Sequence, residues 1–155
     1  MGEQAFDMKS VPFGAGADIT ADDVVETLSF LDDWEQRYAY IIDMGKQLPA
    51  LPDELKTPDH YVHGCQSNVW LEAQYDAAND RMRLAVDSDG LIVKGLAALV
   101  LSALNNQPPQ QVVDYDMEAF FEQMDLIRNL FPSRGNGLRA MVARIKQEAE
   151  AAAAA

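Results

Sequence analysis

Cys65 is the only cysteine in the chain, and it stands in Tyr61-Val62-His63-Gly64-Cys65-Gln66-Ser67-Asn68-Val69-Trp70-Leu71. With no second cysteine it forms no internal disulfide, and alone it holds no metal cluster. It is either a buried inert thiol or a working one. Free cysteines are among the most buried residue types. Here, however, a glycine precedes Cys65 and polar residues follow, which is the chemistry of a loop, where a thiol has access and a tunable environment. An ordinary thiol is only about 3% thiolate at pH 7. A working Cys65 therefore needs a positive charge, a hydrogen-bond donor or a partner protein to raise that fraction.

Two other residues could support such a thiol. His63 lies two positions before Cys65, and in an extended strand that spacing puts both side chains on one face. Gly64 between them can bend the chain and leave His63 a plain surface histidine. Arg134 sits in Pro132-Ser133-Arg134-Gly135-Asn136-Gly137, a turn entering a helix. A cation at a helix start opposes the helix dipole. A thiolate or a partner's carboxylate would give it a task; otherwise it is a solvated side chain. Zinc and iron–sulfur sites want about four Cys or His ligands. The chain offers one cysteine and two histidines, so no metal site is expected. The same Ser-Arg-Gly-Asn-Gly stretch lacks the lysine of a phosphate loop.

The elements that must position these residues read as follows. Residues 1–18 carry Gly14-Ala15-Gly16-Ala17 without periodicity and suggest a disordered leader. Thr20 and Asp23 make a capping box for a helix or kinked pair reaching Gly45, with Leu28, Leu31, Trp34, Tyr38, Ile41 and Ile42 at helical spacing. Pro49, Pro52 and Pro58 enforce an extended connection up to the cysteine. Alternation over Val69–Tyr75 and again over Met82–Val86 predicts an antiparallel hairpin with a loop at Asp76–Asp80. Ser88 or Asp89 is placed to cap an apolar helix over 90–105, which must lie at the centre of the core. Pro108-Pro109 opens a short helix, Asp116 caps another, and a last helix follows Gly137, packing Leu138, Met141, Val142 and Ile145. The alanine tail, 149–155, is expected to fray.

At 155 residues, 48% hydrophobic and 24% charged, the chain fits one ordinary globular domain. A net charge of −13 repels phosphates and argues against nucleic acid. It suits basic partner surfaces, or simply solubility. The N-terminus shows no signal-peptide pattern. The run from Leu91 to Leu104 contains Lys94 and is too short to span a bilayer, so no membrane association is expected. One cysteine fits a reducing, cytoplasmic compartment.

Gly64-Cys65-Gln66-Ser67-Asn68-Val69-Trp70-Leu71 resembles the cysteine motif of the SufE-like sulfur acceptors, the family of SufE and CsdE. Trp34-Glu35-Gln36-Arg37-Tyr38 with Ile41–Pro49 is similar to that family's first helix. Asp87-Ser88-Asp89-Gly90-Leu91-Ile92-Val93-Lys94-Gly95-Leu96 resembles its central helix start, and Pro132–Leu138 the entry to its last helix. Together they span about residues 22–147, and the domain is drawn at 19–148. Gly90 departs from the small residue, such as alanine, expected there.

The resemblance implies an α+β fold, IscU-like, with a small antiparallel sheet and helices packed on one side. It implies that Cys65 accepts persulfide sulfur from a pyridoxal-phosphate cysteine desulfurase (SufS-like or CsdA-like). The protein would stimulate that enzyme and pass the sulfur to an iron–sulfur scaffold complex (SufBCD-like). The acidic cap of the central helix maps to Asp89, and the arginine of the Pro-Ser-Arg turn to Arg134. These two, with Gly64, Gln66 and His63, are the expected supporting or partner-binding residues. No cofactor is expected on this chain, since the pyridoxal phosphate belongs to the desulfurase. The free protein is expected as a monomer or weak homodimer. Two alternatives stand beside this one: a Cys–His thiol enzyme using Cys65 and His63, and an allosteric desulfurase activator that carries no sulfur.

Overall fold

Thr20 and Asp23 cap each other's backbone as their spacing predicts. The Asp23 amide donates to the Thr20 hydroxyl at 3.3 Å, and the Thr20 amide donates to the Asp23 carboxylate at 2.9 Å. In the computed structural model, which describes residues 6–154, this box starts α1 (Ala21–Ser29). Asp33 caps α2 (Trp34–Lys46) by accepting from the Gln36 amide, so the stretch is a helix pair rather than one rod. After the proline-rich connection come β1 (Val69–Asp76) and β2 (Arg81–Ser88). They pair antiparallel, from Val69 opposite Ser88 to Asp76 opposite Arg81. The chain ahead of β1 lines its free edge: the Val62 amide donates to the Val69 carbonyl, and the Leu71 amide to the His60 carbonyl.

The apolar stretch forms α3 (Leu91–Leu104), buried over nearly its whole circumference. It packs on α2 and β2, while α6 (Pro132–Ala154) covers β1 and α3. Between them lie α4 (Pro109–Asp114) and α5 (Met117–Gln123), the latter capped by Asp116 through the Ala119 amide. Among the described residues these six helices and two strands make an α+β fold, as expected.

The α2–α3 contact depends on glycine. A Cβ on Gly95 would stand 2.3 Å from the Ile41 carbonyl oxygen, and one on Gly45 would stand 2.6 Å from the Gly95 amide nitrogen. Both obstacles are backbone, which cannot rotate away. Gly95→Ala gains about 1 kcal/mol of helix propensity but forces the central helices apart at a cost of about 1–3 kcal/mol. The expected result is a net loss near 1 kcal/mol, read as a melting temperature lower by about 2–4 °C. A higher melting temperature would contradict it.

Four expectations need correction. Residues 6–18 do not form a disordered leader; residues 1–5 lie outside the described chain. Phe13 and Val11 are buried, and Phe13 bridges to Ile19. The anchor is Asn105, fully buried, whose side-chain amide donates to the Phe13 carbonyl and accepts from the Leu84 amide, both at 2.8 Å. Gly14, at φ +123°, leaves room for that asparagine. The alanine tail continues α6 to Ala154 with Ala149 buried, because that helix face still meets the core; Ala155 is outside the described residues. The Pro132–Gly137 turn is instead the beginning of α6, Pro132 being tolerated in a first helical turn. Finally, neither Ser88 nor Asp89 caps α3. Its N-cap is Gly90, which makes no side-chain cap bond, because Asp89 is engaged elsewhere.

Candidate functional site

Val62 and Val69 are both buried and hydrogen-bonded to each other, so residues 63–68 form a loop closed at its base. Gly64 sits in that loop at φ +99°, a left-handed conformation that glycine adopts without strain. It turns the chain so that Cys65 points toward α6. The Cys65 thiol is half-buried, and its S–H donates to the Gly137 carbonyl oxygen at 3.4 Å.

The far side of the loop is tied down by Asp89. Its carboxylate accepts from the Asn68 amide at 3.0 Å and from the Asn68 side-chain amide at 2.8 Å. This pairing is why Asp89 is not a helix cap. Asp89, one of the expected supporting residues, is thus bonded to Asn68 at the downstream end of the cysteine loop, a partner that the sequence reading did not single out. Tyr61 adds a third contact by donating its hydroxyl to the Asn68 side-chain oxygen at 3.1 Å.

Cys65 opens onto a pocket of about 380 Å³. The loop supplies Gln66 and Ser67, the first turns of α3 supply Gly90 to Val93, and the first turns of α6 supply Ser133, Arg134 and Gly137. Ile42, Leu96, Leu138 and Met141 form the apolar remainder. Leu91 stands 65% exposed at this rim, a large apolar side chain in solvent beside the thiol. Arg134 lies over the Phe131 ring at 5.4 Å and forms no ion pair among the described residues. It therefore puts an uncommitted cation on the pocket wall. Gln66 is exposed on the loop tip.

His63 is not brought to this pocket. Its ring packs edge-on to Tyr61, with centroids 4.9 Å apart, in a separate groove with Lys56, Pro58 and Trp70. The bend at Gly64 removes the extended geometry that would have put His63 and Cys65 on one face. The structure therefore offers no support for a Cys–His pair.

Burial pushes the Cys65 thiol above its ordinary pKa. The bond to the Gly137 carbonyl also favours the protonated form, since a thiolate cannot donate. The two helix starts pull the other way, because helix N-termini favour an anion. With burial dominant, the thiolate fraction at pH 7 in the free protein should fall below the roughly 3% of an unperturbed thiol. Alkylation of Cys65 by iodoacetamide should accelerate with rising pH, with a midpoint above that of an unperturbed thiol. A midpoint below that value would show that the helix starts prevail.

The fold and site together define a small α+β protein that presents one sheltered thiol on a loop beside an apolar, cation-bearing pocket. Residues 22–149 match the family model described as "Fe-S metabolism associated domain". An uncharacterized SufE-like protein of Rhizobium etli is 43% identical over 136 residues, covering 86% of this chain and 92% of its own. One from Rhizobium meliloti is 40% identical over 131 residues, covering 83% and 94%. The chain belongs to the SufE family, whose domain is associated with iron–sulfur metabolism. A solution structure of a hypothetical protein from Thermus thermophilus superposes with a TM-score of 0.71 at 21% identity, covering 87% of this chain and 96% of that one. At that identity it speaks for the fold alone.

Proposed function

We propose that this protein is a sulfur acceptor and carrier, taking persulfide sulfur from a pyridoxal-phosphate cysteine desulfurase onto Cys65 and delivering it to an iron–sulfur scaffold. The observation that carries this reading is the placement of the chain's one thiol on a tethered loop at a pocket rim, in a SufE-family chain. The Cys65 thiolate attacks the terminal sulfur of the desulfurase persulfide. That sulfur–sulfur bond breaks, the desulfurase thiolate leaves with the electron pair, and Cys65 becomes the persulfide. The transfer is isoelectronic and needs no external oxidant. A thiol on the scaffold then repeats the step on Cys65.

Shelter suits a carrier, because an exposed persulfide would be oxidised or reduced before delivery. Docking would release the loop about Gly64, lift the thiol from the Gly137 carbonyl and bring it under the influence of Arg134. Asp89 and Gln66 would hold the loop or meet the partner, and stimulation of the desulfurase would follow from removal of its sulfur. The cytoplasm is the fitting compartment, since it keeps the carrier thiol reduced between cycles. Among the described residues no helix is long and apolar enough to cross a membrane.

The test is intact-protein mass spectrometry after incubation with desulfurase, pyridoxal phosphate and L-cysteine. A gain of about 32 Da that reductant removes is the expected result. No gain, with desulfurase turnover still raised, would make the protein an activator instead.

A further inference from the structure

The cysteine loop rests on two glycines that belong to different helices. A Cβ on Gly90, at the start of α3, would stand 2.3 Å from the Ser67 hydroxyl oxygen and 2.9 Å from the Ser67 Cβ. A Cβ on Gly137, in α6, would stand 3.2 Å from the Cys65 sulfur and 3.4 Å from the Cys65 Cα. Gly90 has φ −98° and ψ 129°, a conformation open to any residue, so its own backbone does not demand glycine. Gly137 is in a helix interior, where glycine costs about 1 kcal/mol relative to alanine. Alanine is the small residue expected at position 90, so there the fit is particular to this chain, in which Ser67 leaves no room for a Cβ; at Gly137 a Cβ would press on the Cys65 sulfur.

We infer that Gly90 and Gly137 are positioning residues whose missing side chains form the seat of the Cys65–Ser67 segment. They thereby set how far the thiol is withdrawn from solvent in the free protein. This deepens the carrier reading and rests on it for its purpose, since withdrawal matters because a carried sulfur needs shelter. The geometry applies to the free chain whether or not sulfur is carried. The two contacts act in one direction: filling either recess lifts the loop from its seat, Ser67 first at Gly90 and the sulfur itself at Gly137. The Asp89–Asn68 tether and the Val62–Val69 pair hold only the downstream end and the base of the loop. Cys65 and Ser67 have the recesses and the single bond to Gly137 to keep them down.

The experiment measures iodoacetamide alkylation of Cys65 at fixed pH by mass spectrometry, with no desulfurase present. Thermal melts check that each variant is folded. Gly90→Ala should raise the rate about tenfold, the factor corresponding to ~1.4 kcal/mol of overpacking strain. Ser67→Gly removes both atoms that the new methyl would strike. In that background Gly90→Ala should change the rate by less than about twofold, a coupling that a general loosening of the helix start would not produce. Gly137→Ala strengthens the helix and should still raise the rate about threefold through the sulfur contact. It stands as the independent test if Gly90→Ala fails to fold. An unchanged rate in either folded glycine variant would overturn the proposal. So would an equal rise from Gly90→Ala with Ser67 and with glycine at 67. Failure of sulfur transfer from a desulfurase, with these rates as expected, would count against the carrier reading alone.

Discussion

Cys65→Ser should take up no sulfur: its mass should stay unchanged where the parent chain gains about 32 Da. The change swaps one atom. The serine hydroxyl can still donate to the Gly137 carbonyl, and Gly64, Gln66, Ser67 and the Asp89–Asn68 tether are untouched. The fold and the docking surface should therefore survive. What disappears is the soft nucleophile that attacks a persulfide, because a serine hydroxyl neither ionises near pH 7 nor displaces a thiolate without an adjacent base. The loss should be complete, from stoichiometric loading to background. Measuring desulfurase turnover alongside separates the alternatives. A carrier that stimulates by removing sulfur should lose stimulation with Cys65→Ser. If the serine chain stimulates as well as the parent, allosteric activation is the function and Cys65 is incidental. A serine chain that still carries label from cysteine would exclude Cys65 as the acceptor.

Asp87→Ala should cause the largest loss of stability among single polar substitutions at this end of the fold. Asp87 is buried at the end of β2, immediately before the segment that holds the cysteine loop. Its carboxylate accepts from the Leu51 amide at 3.0 Å and the Ser88 amide at 2.8 Å, with Lys56 at 3.4 Å and Lys94 at 3.3 Å. Burial alone would raise its pKa. The Leu51 amide, the Lys94 ammonium and the Ser88 amide outweigh that, and the carboxyl is held below its ordinary value. Removing it leaves Lys56 and Lys94 without their shared anion and the Leu51 and Ser88 amides without that acceptor. Breaking a buried pair costs about 3–5 kcal/mol, and the low end applies because both lysines retain contact with solvent. About 3 kcal/mol corresponds to a melting temperature lower by roughly 6–12 °C for a chain of this size.

The pH dependence has a definite sign. A depressed folded pKa contributes stability above the unfolded value, near 3.9, and that contribution fades as pH falls through the folded value. The gap between parent and Asp87→Ala should thus be full at neutral pH and narrow under acid. A melting temperature within about 2 °C of the parent at pH 7 would show that the cluster is replaceable by water.

Much of the fold was legible because it rests on local rules. The Thr20–Asp23 capping box, the Asp116 cap and the strand alternation each act within a few residues, and each appears where the spacing put it. The leader was misread because its order comes from Asn105, more than eighty positions away, whose buried side chain holds Phe13. Asp89 was misread as a cap for a similar reason. Local preference placed a carboxylate ahead of a helix, but Asn68 offers two donors to the same group and wins it. The glycines of the Ser-Arg-Gly-Asn-Gly stretch looked like a turn. Glycine in a helix is expensive, and that expense was the available signal of a close approach.

The sequence by itself determined the antiparallel hairpin, the central apolar helix and the one thiol with its motif, since periodicity, capping and residue identity are local properties. The α+β class came with the family resemblance those motifs carry, and the pairing of Asp76 with Arg81 was settled only by the structure. The tertiary structure alone decided that Gly64 turns His63 into a different groove from Cys65. It alone brought Asn68 to Asp89, Ser67 to Gly90 and the thiol to Gly137. The Asn68–Asp89 and Cys65–Gly137 contacts, at 2.8–3.4 Å, join segments far apart in the chain, and only the packing of α3 and α6 against the hairpin sets such distances.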